Sequence, residues 1–136
     1  MNHSRVAVLV VALLAGALSS GCGGQARVPV EGVVTLDGKP LASATVTLRR
    51  TDGAASEGIY LAETDAEGKY RLAHVHGGSP GAPSGNYSVF IKSVKPPPGA
   101  NETTKLPPER VPGKWRDGSQ TIDIPPGGTT EANFAI

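Results

Sequence analysis

The 136-residue chain is poor in cysteine, aromatic residues, long apolar runs and charge of either sign. Its one cysteine, Cys22, excludes an intramolecular disulfide framework. The aromatic set is one Trp, three Tyr and two Phe, too few for broad stacking surfaces. Thirteen basic against twelve acidic residues leave a net charge of +1, which excludes the one-sided charge of a nucleic-acid-binding domain. The longest apolar run, Val6 to Leu18, falls short of the roughly 20 residues that span a bilayer as a helix. The length holds one small domain and no second core. What the chain does have is 18 Gly and 12 Pro beside 38% hydrophobic residues, the composition of a turn-rich globular domain.

The first 21 residues read as an export signal. Arg5 supplies the positive start, Val6 to Leu18 the apolar stretch, and Ser19-Ser20-Gly21 the small residues before Cys22. With no partner for a disulfide, Cys22 needs another explanation. The stretch Leu18-Ser19-Ser20-Gly21-Cys22 resembles a bacterial lipobox, with Ser19 where leucine is usual and Leu18 one place further out. That resemblance implies cleavage before Cys22 and lipidation of its thiol and amino group with fatty-acyl chains such as palmitate. Two or more chains hold a protein on a membrane where one binds only marginally. Residues 22–27 then form a lipidated flexible tether containing Gly23 and Gly24. Loss of Arg5 brings the mature chain's formal charge to 0. By resemblance to Gram-negative sorting rules, Gly23, not being aspartate, favours the outer membrane. The alternative is a soluble secreted protein with a free thiol.

From Val28 to Ile136 the pattern has period two and no helical period, so the fold class is all-β. Val30, Gly32, Val34 and Leu36 share one strand face, and Asp37-Gly38 follows as a tight turn. Ala44, Val46 and Leu48 alternate with Thr45, Thr47 and Arg49, as in a half-buried strand with one wet face. Ile59–Thr64 and Tyr70–Val75 are expected strands joined through Asp65-Ala66-Glu67-Gly68, and Tyr87, Val89 and Ile91 mark another. Lys95 to Pro112 carries six prolines in 18 residues and is expected as an extended surface connection. Thr121–Ile124 and Glu131–Ile136 complete seven strands, a number that suggests a sandwich.

The ordered pieces Val30-Glu31-Gly32-Val33-Val34, Asp37-Gly38-Lys39-Pro40-Leu41, Ala44 to Leu48, Thr64 to Tyr70 and Pro83 to Val89 resemble the carboxypeptidase regulatory-like, or transthyretin-like (prealbumin-like), β-sandwich domains of bacterial exported lipoproteins. The short planctomycete-type members, a lipobox followed by one such domain, are the most similar. The resemblance covers Val28 to Ile136. It implies a seven-stranded antiparallel Greek-key sandwich closed by an Ile122–Ile136 hairpin, and no activity of its own.

Residues able to carry chemistry each have a plainer role open to them. His74 and His76 form an H-x-H pair that a strand would place on one face, where two imidazoles can share a metal. A metal-dependent hydrolase there needs a third ligand, such as Glu63 or Asp65. Asp65 serves equally as the cap of its own turn. Trp115, between Lys114 and Arg116, either stacks on a sugar or packs across an open end of the sandwich. Tyr87 either contacts a ligand or makes a tyrosine-corner-like hydrogen bond to backbone. No Gly-x-Ser-x-Gly elbow is present and no catalytic residue or cofactor is assigned. The expected function is that of a membrane-anchored, non-catalytic envelope lipoprotein whose partner is an envelope protein or glycan. The alternatives are a carbohydrate-binding module using Trp115 with Tyr60 or Tyr87, and the hydrolase at His74 and His76.

Overall fold

The computed structural model describes residues 26–52 and 58–136. The signal segment, Cys22 and most of the tether lie outside the described residues, as does 53–57 of the expected loop after Thr51. The described chain is all-β. Its only helical element is one 3-10 turn, Gly113–Trp115.

Strands β1 (Arg27–Val28), β2 (Glu31–Leu36), β3 (Lys39–Pro40), β4 (Thr45–Arg50) and β5 (Ile59–Glu63) occupy the first half. The second half contains β6 (Lys69–Arg71), β7 (Ala73–His74), β8 (Ala82–Pro83), β9 (Gly85–Lys92), β10 (Gln120–Ile124) and β11 (Phe134–Ala135). A five-stranded antiparallel sheet has the order β10-β9-β4-β5-β7. A smaller sheet is built on β2, which pairs with β3, β6 and β11, while β1 and β8 form a separate two-stranded ribbon. The sheets share one hydrophobic core, an arrangement compatible with a β-sandwich.

The alternation seen in the sequence positions that core. Val46 and Leu48 of β4 are fully buried, as are Tyr87, Val89 and Ile91 of β9. Cross-strand pairing sets Val46 beside Ile91 and Leu48 beside Val89, so the apolar rows meet on one face. Val30 and Val34 enter from the smaller sheet with Tyr70 and Phe134, whose rings stack 6.2 Å apart. Each fully buried Val, Leu or Ile side chain contributes about 1.5–3 kcal/mol by leaving water.

Expectation and structure part in four places. There are eleven strand segments among the described residues rather than seven. The run expected as one strand from Tyr70 to Val75 divides at fully buried Leu72: β6 pairs with β2, and β7 pairs with β5 in the other sheet. The fold is not wholly antiparallel, because β11 runs parallel to β2. The closing hairpin is absent for the same reason, since β10 pairs with β9 and β11 with β2. Pro125-Pro126-Gly127-Gly128 carries the chain from one sheet to the other instead of turning it back on itself.

Side chains fix the turns and the long connection. Asp37 and Gly38 both have positive φ, 51° and 78°, as a tight hairpin turn requires. Asp65 Oδ1 accepts the amides of Glu67 and Lys69, which caps the turn between β5 and β6. Buried Thr64 accepts the Ala44 amide and donates to the Leu41 carbonyl, tying the start of β4 to the end of β5. The proline-rich connection is closed at both ends by one carboxylate: Glu109 accepts the amides of Ser93, Val94 and Val111 and the Ser93 hydroxyl. Partial burial of Glu109 opposes its ionisation. The hydrogen bonds from Ser93, Val111 and Val94 outweigh that and hold its pKa down at about 2.

Candidate functional site

The aromatic residues singled out in the sequence turn inward. Tyr87 is fully buried, and its hydroxyl donates to the Pro83 carbonyl at 2.8 Å, four residues upstream. Burial pushes its pKa up to about 12. Tyr60 is 4% exposed and stands edge-on to Tyr87 with ring centres 5.9 Å apart. Trp115 sits in the 3-10 turn and packs its ring edge-on to Phe134 at 5.6 Å, at the margin of the core. Its indole Nε1 is buried with no acceptor among the described residues. The three rings therefore line the core and do not form an exposed platform for a sugar.

His74 closes β7 and His76 lies in the turn beyond it. Their rings are 5.4 Å apart, and His74 Nδ1 accepts the His76 amide at 3.3 Å while its ring stands edge-on to Tyr60. Glu63 points its carboxylate at Lys95 Nζ, 2.9 Å away, and Asp65 is engaged in its turn. Among the described residues no three His, Cys, Asp or Glu side chains converge as a metal site. The structure thus brings the two imidazoles together and leaves the expected third ligands committed elsewhere.

A surface recess lies on the outer face of the five-stranded sheet. Alternation that turns Val46 and Leu48 inward turns Thr45, Thr47 and Arg49 outward. Antiparallel register then sets Lys92 opposite Thr45 and Phe90 opposite Thr47. These side chains floor the recess, which measures about 490 Å³. Val94, Lys95 and Pro96, at the start of the proline-rich connection, form one wall, and Arg116 reaches in from the segment after the 3-10 turn.

Four cations therefore line one concavity, and no carboxylate is among its lining residues within the described chain. Three of them are held by their surroundings. The Arg49 guanidinium lies 5.4 Å over the centre of the Phe90 ring. Arg116 Nε donates to the Val111 carbonyl at 2.9 Å, and Lys95 pairs with Glu63. Lys92 has no carboxylate partner among the described residues. The pKa of Asp117, beside Arg116 in the chain, is lowered from its ordinary value because the Ser119 side chain and amide both stabilise its charge.

Sequence reading identified the wet face of β4 but not this recess. Arg49, Lys92, Lys95 and Arg116 are scattered over 68 positions in a chain of balanced charge; the β4–β9 pairing brings the first two to one sheet face, and the path of the following segments brings the others to the recess. No family model, curated protein or solved structure matches the chain.

Proposed function

We propose that the chain is an exported lipoprotein, anchored through acyl chains on Cys22, that displays a non-catalytic binding domain in the cell envelope, with the outer membrane as its favoured site. The domain in this reading is a carboxypeptidase regulatory-like, transthyretin-like Greek-key β-sandwich, and its partner is an envelope protein or glycan. The observation that carries the reading is the position of the lone cysteine. Cys22 ends a segment with an early arginine, a 13-residue apolar run and three small residues, and only four residues separate it from β1. A signal that ends so close to a β core leaves Cys22 a membrane-proximal attachment point. The single core shared by the sheets and the passage of the chain between them at Leu72 support a sandwich. The inward-facing aromatic rings favour a binding surface other than Trp115.

Labelled palmitate fed to cells expressing the full chain tests the anchor. Label on the wild-type protein in the membrane fraction, absent from Cys22→Ala, is the expected result. An unlabelled wild-type protein found in the soluble fraction overturns it.

A further inference from the structure

The recess on the outer sheet face has a chemistry that a solvated basic surface does not require. Its cations are gathered from β4, β9 and the two segments that follow β9, and three are pinned by an aromatic ring, a backbone carbonyl or an ion pair. A guanidinium held over a ring face still has N–H donors to offer an oxyanion. Between the cations stand the Thr45 and Thr47 hydroxyls, half-buried and without protein hydrogen-bond partners among the described residues. Val94 and Pro96 add an apolar wall. The ligand that complements all three features carries negative charge, several hydroxyl groups and a compact C–H surface.

We propose that this recess binds an acidic saccharide, a sugar unit bearing carboxylate or sulfate groups within a polysaccharide. Arg49, Lys92 and Arg116 take the anionic group, Thr45 and Thr47 exchange hydrogen bonds with ring hydroxyls, and Pro96 packs on the sugar's C–H face. A volume of about 490 Å³ is within the range of small-ligand pockets and suits one or two sugar units. Nucleic acid is disfavoured on a chain whose net charge is only +1. The inference deepens the reading of the domain as an envelope binding module and rests on it.

The test uses the full chain, purified from whichever fraction contains it, with oligogalacturonate, sulfated dextran oligomers and neutral dextran as probes in titration calorimetry. Binding to one or both acidic probes and none to neutral dextran is expected, and the acidic probe that binds identifies the anion. Arg49→Gln with Lys92→Gln weakens that binding by about tenfold or more at an unchanged melting temperature. Lys39→Gln with Lys69→Gln, on the smaller sheet, leaves it intact. Thr45→Val with Thr47→Val weakens the saccharide while leaving weak inorganic sulfate binding unchanged. The proposal is overturned if neither acidic probe binds, if the Arg49 and Lys92 changes have no effect, or if polyglutamate or a single-stranded oligonucleotide binds as tightly at the same salt. Because anchoring is read separately from palmitate labelling, failure of saccharide binding with anchoring intact removes only the recess. Saccharide binding by an unanchored protein removes only the lipoprotein reading.

Discussion

Glu109 and Ser93, 16 positions apart, are joined by three hydrogen bonds: the Ser93 amide reaches both carboxylate oxygens, at 2.9 and 3.1 Å, and the Ser93 hydroxyl reaches one of them. The same carboxylate receives the Val111 amide at 2.9 Å. The connection between β9 and the 3-10 turn is thereby closed at its base, and closing a loop of this length needs compensation for the entropy lost. Glu109→Gln is expected to lower unfolding free energy at neutral pH by about 1–3 kcal/mol, because a neutral amide accepts these amides less strongly.

The folded-state pKa of Glu109, about 2, lies below the ordinary 4.5, so its stabilisation is complete above the ordinary value and is lost as pH falls from there toward 2. Urea unfolding of wild type and Glu109→Gln at pH 7 and pH 3 checks this. The gap between the two proteins narrows at pH 3. A gap that is constant with pH would show that the carboxylate charge is not what closes the loop.

Gly32 faces Ala132 with no room for a side chain. A Cβ at Gly32 would stand 2.0 Å from the Ala132 carbonyl oxygen, and that oxygen also receives the Tyr70 hydroxyl at 2.6 Å. Gly32→Ala must push the 129–135 segment off β2, at an expected cost of about 3 kcal/mol. Gly38→Ala meets no atom and carries only the penalty of its positive φ, about 1 kcal/mol. Thermal unfolding that ranks the two the other way would contradict this packing.

Tyr70 and Tyr87 are held neutral by burial, the latter with its pKa pushed up to about 12 and the former also raised. For a group whose charged form is the disfavoured one, stability falls as pH rises from the ordinary value near 10 toward the folded one. Absorbance titration at alkaline pH is expected to show these two hydroxyls ionising together with the loss of β-sheet circular dichroism. Tyr87→Phe removes the bond to the Pro83 carbonyl and is expected to lower stability by about 1–2 kcal/mol.

Strand content and local turns were legible in the sequence because they depend on neighbours. Ala44, Val46 and Leu48 announced the buried face of β4, Asp37-Gly38 the left-handed turn between β2 and β3, Asp65 the cap of the turn between β5 and β6, and Tyr87 a hydrogen bond to nearby backbone. What was not legible depends on distant partners. The division of Tyr70–Val75 at Leu72 arises because two halves of one apolar run meet different sheets. The parallel pairing of Phe134 with Val34 joins residues 100 positions apart, and alternation is the same for either direction of pairing. The recess was hidden likewise, since Arg49 and Lys92 come to one sheet face only through the pairing of β4 with β9.

The central claim is that Cys22 becomes the acylated first residue of an envelope-bound domain, and intact mass of the protein recovered from cell membranes tests it most directly. A mass equal to residues 22–136 plus a diacylglyceryl group and an N-acyl chain, absent in Cys22→Ala along with membrane retention, is the predicted result. A mass that retains the first 21 residues, or an unmodified thiol on a soluble product, would contradict it.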